Sequence, residues 1–380
     1  VTATPPAGAG LDQFTDSLDN GVLAPVNPVV VSTTSGVDRT DVDFGYRGVG
    51  AIGDRVFLDV NANGQYDAGE GLDGVTVTLT GDLNNDGTPD TLTTTTDAEG
   101  FYQFTNLRVT AAGVPYTVTV ASATLPQDGA GNPVTNTVDP DTPNPGNNTS
   151  AVSLTSAAPS NQLQDFGYRG PGRIGDTVFL DANGNGVPDT GEGITGVAVQ
   201  LTGDVDGDGV AETFTTATNA AGVYDFSNLP VRTPAGALIS YTVAVDPAGT
   251  TLPAGVANTV DPDGGNNGTS TLTLAPVTPV NLAQDFGYRG PGSIGDRVFL
   301  DVNNNGAFDA GEGLNGVTLT LTADLNGDGV AEVLNATTDA DGLYLFGGLP
   351  VFQTNGTTAV PYVVGVVIAS LPTGLTNTVD

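Results

Sequence analysis

The sequence predicts an all-β protein made of two-sheet sandwiches in tandem, and three observations carry that prediction. Apolar residues alternate with Thr at period two: Val75, Val77 and Leu79 against Thr76, Thr78 and Thr80, and Val118 and Val120 against Thr117 and Thr119. That is the spacing of half-buried strands, not of a helix. Turn signals recur between such stretches, so the strands they bound are short. Finally, long phrases return in one order at domain-sized intervals.

In the first complete unit, strands are expected near residues 52–58, 74–80, 91–96, 101–106, 115–121, 149–154 and 164–168. Short strands with turn signals between them pack as two sheets. Gly100-Phe101-Tyr102-Gln103-Phe104, Gly222-Val223-Tyr224-Asp225-Phe226 and Gly342-Leu343-Tyr344-Leu345-Phe346 each place Tyr and Phe on one face after a turn Gly. Core packing is the role expected of these pairs.

The phrase Ile-Gly-Asp-x-Val-Phe-Leu-Asp opens at Ile52, Ile174 and Ile294, 122 and 120 residues apart, which is one domain per interval. Asp-Phe-Gly-Tyr-Arg-Gly closes at Asp43 to Gly48, Asp165 to Gly170 and Asp285 to Gly290. The division expected is therefore 1–48, the last strands of a repeat; 49–170 and 171–290, two complete repeats; and 291–380, a repeat lacking its last strands. Only Val49-Gly50-Ala51, Pro171-Gly172-Arg173 and Pro291-Gly292-Ser293 separate closing from opening phrases, so the sandwiches are expected to line up as a fairly stiff rod. The two end fragments are complementary. Either the leading segment of one molecule completes the trailing repeat of the next, copies of the chain joining head to tail by strand donation, or the chain is an excerpt of a longer repeat protein. Val1 opens neither an initiator Met nor a signal peptide, as in a processed or excerpted piece, and no apolar run approaches the roughly 20 residues of a membrane helix.

Composition narrows the chemistry. Against 43 acidic residues stand nine basic ones, all Arg, for a formal charge of -34. Nucleic acid and anionic membrane are poor partners for such a chain, and divalent cations are its natural counter-charge. With no Cys, disulfides and thiolate metal sites are excluded. With no His, Cys or Lys, the Ser-His, Cys-His and Schiff-base arrangements cannot be built, and no Trp is present to stack a sugar. The chain is not expected to be an enzyme.

The acidic residues are instead spaced for calcium. Asp59, Asn61, Asn63, Asp67 and Glu70 fall at positions 1, 3, 5, 9 and 12 of a twelve-residue loop with Gly64 at position 6 and Gln65 at 7. This is the EF-hand ligand pattern. A hard cation takes six to eight oxygens near 2.4 Å, so the backbone must wrap tightly around it, the Gly permits the turn, and position 7 contributes only its carbonyl. The pattern returns as Asp181, Asn183, Asn185, Val187, Asp189 and Glu192, and as Asp301, Asn303, Asn305, Ala307, Asp309 and Glu312. A second acidic loop follows the next strand of each repeat: Asp82, Asn84, Asp86, Thr88 and Asp90; Asp204, Asp206, Asp208, Val210 and Glu212; Asp324, Asn326, Asp328, Val330 and Glu332. Position 12 here is Thr93, Thr215 or Asn335, so weaker calcium binding is expected, with Asp97 or Glu99, and Asp339 or Asp341, as candidates to complete the shell; the middle repeat has Asn219 and Ala221 there. Asn136 to Asp139, Asn258 to Asp261 and Asn377 to Asp380 read as structural turns.

Together Ile-Gly-Asp-x-Val-Phe-Leu-Asp-x-Asn-x-Asn-Gly, Gly-Glu-Gly-(Leu/Ile)-x-Gly-Val, the Gly-x-Tyr-x-Phe strand and Asp-Phe-Gly-Tyr-Arg resemble the B domains of bacterial serine-aspartate-repeat surface proteins. The resemblance implies an immunoglobulin-like, collagen-adhesin B-type sandwich, calcium in its loops, and a place in an extracellular stalk at the cell surface. The alternative function is an adhesin module that binds a host or cell-surface ligand, since sandwich loops can carry an adhesive patch. Some sandwiches of this type carry a Lys-Asn isopeptide staple; with no Lys this chain cannot.

Overall fold

A computed structural model describes residues 11–16, 44–141, 146–327 and 329–378 of the chain. It is all-β: apart from one-turn 3₁₀ segments at Ser122–Thr124 and Ile368–Ser370, every regular element is a strand. Among the described residues no helix is long and apolar enough to cross a membrane. The chain divides into two compact units, one of Val1–Pro171 with Asp204–Glu212 and Asn228–Leu238, the other of Gly172–Gly203 with Thr213–Ser227 and Ile239–Asp380.

In the first unit, one sheet runs Asp90–Thr95, Thr76–Gly81, Val114–Val120, Thr149–Leu154, all antiparallel. Its register explains the Thr alternation. Val77 lies opposite Val120 and Leu79 opposite Val118, all inward and buried, while Thr78 and Thr119 pair on the outer face. The second sheet is built on Gly50–Leu58, which pairs antiparallel with Phe101–Leu107 and parallel with Ser160–Asn161 and Phe166–Arg169. Thr135–Val138 completes it, antiparallel to Phe166–Arg169. Residues 135–138 were expected in part as a turn. They form a strand because the closing phrase, some 30 residues on, supplies its hydrogen-bond partner, a pairing that local turn propensity does not contain.

Ile52, Val56, Phe57, Leu58, Tyr102, Phe104, Tyr116, Phe166 and Tyr168 fill the space between the sheets. Tyr102 and Phe104 meet edge to face with centroids 6.1 Å apart, and the Tyr102 hydroxyl donates to the Gln164 carbonyl at 2.7 Å. These aromatics are core residues, as their spacing predicts.

The same opening strand carries a carboxyl pair. Asp54 hydrogen-bonds Asp165, and its carboxyl is pushed up to about 6, by burial first and then by the negative charge of Asp165. A raised acid pKa means the folded state holds the proton more tightly than the unfolded chain. This group therefore adds stability as pH falls through about 6 toward 3.8, and that contribution is absent above 6. Asp54→Asn, melted in chelator, is expected to be more stable than the parent at pH 8 and to lose that advantage by pH 4. A difference independent of pH would remove the pair from the account.

In the second repeat the plan recurs. Glu212–Ala217, Ala198–Gly203, Ser240–Val245 and Thr269–Thr273 form one sheet, and Gly172–Leu180 with Val223–Leu229, Val280–Asn281, Phe286–Arg289 and Ala257–Val260 the other. In the third repeat the described strands are Glu332–Thr337, Thr318–Ala323 and Val363–Val366 in one sheet and Gly292–Arg297 with Leu343–Leu349 in the other.

Candidate metal centre

The first acidic loop leaves the inner end of the opening strand, so the residue heading it is carried into the sandwich. Asp59 is fully buried, and Arg169 of the closing phrase donates to its Oδ2 through Nε at 3.0 Å and Nη2 at 2.5 Å. Its other oxygen, Oδ1, is buried with no hydrogen-bond partner. A carboxylate oxygen in that position costs stability unless something positive reaches it. The far end of the loop folds back on the same point. Glu70 is buried and accepts the Val60 amide on Oε1 and the Asp67 amide on Oε2, both at 3.0 Å. Its carboxyl is pushed up to about 7, chiefly by burial, with Asp67 and Asp59 adding to the shift.

Between those ends the loop is wound by its own side chains. Asn61 Oδ1 accepts the Asn63 amide at 2.9 Å and Asn63 Oδ1 the Gln65 amide at 2.7 Å, while both Asn side-chain amides donate to Asp67 Oδ2 at 2.6 Å. Gly64 sits at φ 76°, in the left-handed region that lets the turn close. The same bonds recur in the second repeat, where Glu192 accepts the Ala182 and Asp189 amides at 3.0 and 3.1 Å and Asn183 and Asn185 reach Asp189 at 2.7 Å. In the third, Glu312 accepts the Val302 and Asp309 amides at 3.1 and 2.9 Å, with Asn303 and Asn305 on Asp309. Each of the three loops thus carries Asp, Asn and Glu in one turn, residue types whose oxygens form the hard donor set that suits Ca²⁺. Here, though, the Asn side chains turn their amide nitrogens toward the Asp, and the three carboxylates do not close to within 4.8 Å of one another. The Asp59 oxygen without a hydrogen-bond partner and the raised Glu70 carboxyl are both compatible with a cation at this point.

The second acidic loop closes by a different residue from those expected. Position 9 takes the role that position 12 has in the first loop: Asp90 accepts the Leu83 amide at 2.9 Å, Glu212 the Val205 amide at 2.6 Å and Glu332 the Leu325 amide at 3.0 Å. Burial pushes Glu212 up to about 8, with Asp206 and Asp204 contributing repulsion. Two of the four candidates for completing the shell, Asp97 and Asp339, cap a turn, as does Asn219, which stands at that place in the middle repeat. Asp97 caps its own turn by accepting the Glu99 and Phe101 amides, Asn219 accepts those of Ala221 and Val223, and Asp339 those of Asp341 and Leu343. They fix the turn before the Tyr-x-Phe strand.

Among the described residues, Asp204, Asp206 and Asp208 form the one group of three carboxylates whose oxygens all lie within 4.8 Å of one another. In the first repeat the corresponding loop is more open, with Asp82 Oδ1 and Asn84 Oδ1 both accepting the Asp86 amide and Asp86 accepting from Thr88. Arg108 lies against Asp82. In the third repeat Asp324 accepts the Gly327 and Gly329 amides, and Asp328 lies outside the described residues.

One acidic pair was read as a plain turn and turned out to be buried. Asp139 is 3 % exposed with Oδ2 lacking a partner, and its carboxyl is pushed up to about 7 by burial and by a hydrogen bond with Asp141. The corresponding Asp261 has its oxygens nearer to amides, of Asp263 and Asn267, at 3.3 Å each. Sequence offered only the Asp-Pro-Asp spelling, which is common in turns. Burial was the missing signal.

A family model described as SdrD B-like domain matches residues 50–168, 172–288 and 292–380. The chain is 32 % identical over 337 residues to serine-aspartate repeat-containing protein D of Staphylococcus aureus (strain Newman), an alignment covering 87 % of this chain and 23 % of that protein. It is 34 % identical over 306 residues to serine-aspartate repeat-containing protein F of Staphylococcus epidermidis, covering 79 % and 16 %. The chain thus spans less than a quarter of the length of these curated relatives. A solved streptococcal ancillary pilin aligns over 87 % of this chain and 97 % of its own at 11 % identity, with a TM-score of 0.26.

Proposed function

The chain belongs to the SdrD B-like domain family, and from that premise we propose that it is a calcium-stabilised structural repeat of an extracellular bacterial surface stalk or filament. One observation carries the calcium part of this reading. A buried Asp59 oxygen without a partner heads a loop whose closing Glu70 is too buried to ionise easily, and the pattern Asp-x-Asn-x-Asn-Gly is spelled three times. Ca²⁺ bound there would be held by Asp59, Asn61, Asn63, Asp67, Glu70 and the Gln65 carbonyl, and by their counterparts in the other repeats. It would supply the positive charge that the crowded carboxylates lack. Extracellular calcium, at about 10⁻³ M, matches the weak end of such loops, and that match supports a place outside the cell.

The stalk reading rests on repetition. Three near-copies of one sandwich supply length and no distinct site, whereas an adhesin module needs a surface that differs from its neighbours. Calorimetric titration with CaCl₂ is expected to show saturable binding near 10⁻⁴ to 10⁻³ M. Absence of binding by calorimetry and by equilibrium dialysis would sink the reading.

Assembly by strand donation has its own observation. Phe44–Gly48 pairs antiparallel with Leu11–Asp16, and the edge strand Val363–Val366 leaves Val364 and Val366 about 40 % exposed. In the first repeat the strand equivalent to Val363–Val366 is covered by Thr149–Leu154. Concentration-dependent growth of head-to-tail species on sizing, abolished by Val364→Lys, is the expected result, and a monomer at every concentration would overturn it.

A further inference from the structure

The first acidic loops of the first two repeats and the second acidic loops of the last two touch the neighbouring repeat. Within the first compact unit, the Asp73 amide donates to Asp206 Oδ2 at 2.8 Å, the Asn228 side-chain amide donates to the Val60 carbonyl at 2.8 Å, and the Gly170 amide donates to the Asn228 carbonyl at 2.8 Å. Val60 is the second residue of the first acidic loop of one repeat. Asp206 is the third residue of the second acidic loop of the next. Beside them the Gln127 carbonyl accepts the Val231 and Arg232 amides at 2.8 and 3.0 Å, and Gln127 Nε2 donates to the Pro234 carbonyl at 2.9 Å.

Within the second unit the contact is built again. Asn326, the counterpart of Asp206, donates to the carbonyl of Thr195, the counterpart of Asp73, at 2.6 Å. The Gly347 amide donates to the carbonyl of Ala182, the counterpart of Val60, at 3.2 Å, and the Gly290 amide to Gly348 at 2.7 Å. The places agree to within a residue and the atoms differ: where Asn228 reaches with a side chain, Gly347, the counterpart of Ser227, uses its backbone, and where Asp206 accepts, Asn326 donates. Val205 and Leu325, which precede Asp206 and Asn326, are fully buried, whereas Leu83 of the first repeat is only half-buried. The last Gly of the closing phrase is fixed by the same contact. A Cβ at Gly170 or Gly290 would overlap the Leu229 or Leu349 carbonyl.

We propose that the first acidic loop of one repeat and the second acidic loop of the next are the two halves of a repeat-to-repeat latch, gripped by a divalent cation. Its partner is another repeat of the same kind, and the cation part rests on the calcium reading above. The Asp206 carboxylate is the shared group. One oxygen takes the Asp73 amide, the other takes the Asp208 amide at 3.2 Å, and the carboxylates of Asp204 and Asp208 crowd it. Without a cation, like charges at that distance push the Asp206 carboxylate away from its position; a cation fixes it against Asp73. On the other side Val60 stands next to Asp59, whose buried oxygen awaits a partner, and its amide is pinned by Glu70. Ordering that loop fixes the carbonyl that receives Asn228.

Hydrogen-exchange mass spectrometry on the full chain tests this at the Asp73 and Gly170 amides, with calcium binding followed in parallel by calorimetry. Exchange at both is expected to quicken about tenfold when calcium is chelated, the scale of one lost hydrogen bond. Asp206→Ala should quicken exchange at Asp73 even in calcium. Asp206→Asn, whose side-chain oxygen can still accept the amide, should keep it slow. If calcium binds but exchange at Asp73 and Gly170 does not respond to chelation or to Asp206→Ala, the latch is wrong while the calcium reading stands. If no calcium binds and Asp206→Ala still exposes Asp73, the calcium reading fails, the cation part of the proposal goes with it, and the docking contact survives.

Discussion

Chelating calcium is expected to lower the melting temperature of the chain by about 10 °C. Each acidic loop binding at about 10⁻⁴ M contributes RT ln(1 + [L]/Kd), about 1.4 kcal/mol at millimolar calcium, and two such loops give a repeat about 3 kcal/mol. For a domain of roughly 120 residues each kcal/mol moves the transition by about 4 °C. The structure gives the sign a physical source. Emptied of cations, the first loop keeps a buried carboxylate oxygen with no partner at Asp59 and a buried carboxyl at Glu70, and the second keeps three clustered aspartates at Asp204, Asp206 and Asp208. Calorimetric scans in CaCl₂ and in chelator make the comparison. Magnesium serves as the control, because its small, rigid octahedral shell suits a twelve-residue oxygen loop poorly and should recover little of the shift. Equal melting in calcium and chelator would refute the assignment of both loops.

What the sequence disclosed and what it withheld divide by distance along the chain. The first loop was legible because all its ligand-type residues fall within twelve positions, and the side-chain bonds that wind it link residues two to six apart. The strands around Val77 and Val118 were legible because alternation is local, and the inward face follows from it. The Arg169 clasp on Asp59 spans 110 residues and the Asp73 contact with Asp206 spans 133, and no spacing rule reaches that far. The strand Thr135–Val138 was hidden for the same reason, since its sequence reads as turn chemistry and its pairing depends on the closing phrase. The end of the second loop was only partly legible: Asp90, Glu212 and Glu332 are visible in the spacing, but that they begin the next strand, whose start fixes them against the position-2 amide, depends on the sheet.

Glu70→Gln is expected to cost the first complete repeat about 2–4 kcal/mol in calcium and much less in chelator at pH 8. Glu70 has two duties that conflict when the loop is empty. Its oxygens hold the Val60 and Asp67 amides, which favours keeping a carboxylate there, yet its burial raises its pKa to about 7, so above that pH the folded protein carries a charge it would rather not have. Bound calcium would resolve the conflict by giving those oxygens a positive partner. Gln keeps one acceptor, turns a donor toward the other amide at a cost of about 1–3 kcal/mol, and removes the bidentate ligand, forfeiting about 1.4 kcal/mol of binding at millimolar calcium. In chelator the second loss disappears, and relief of the buried charge offsets part of the first. For a carboxyl raised in the fold, the wild-type penalty is complete above about 7 and fades as pH falls toward 4.5, so the gap between variant and parent in chelator should widen on acidification. Limited proteolysis read by mass spectrometry assigns the loss to residues 49–170, and Glu192→Gln should shift it to the following repeat. An equal loss with and without calcium would mean that Glu70 merely caps a turn.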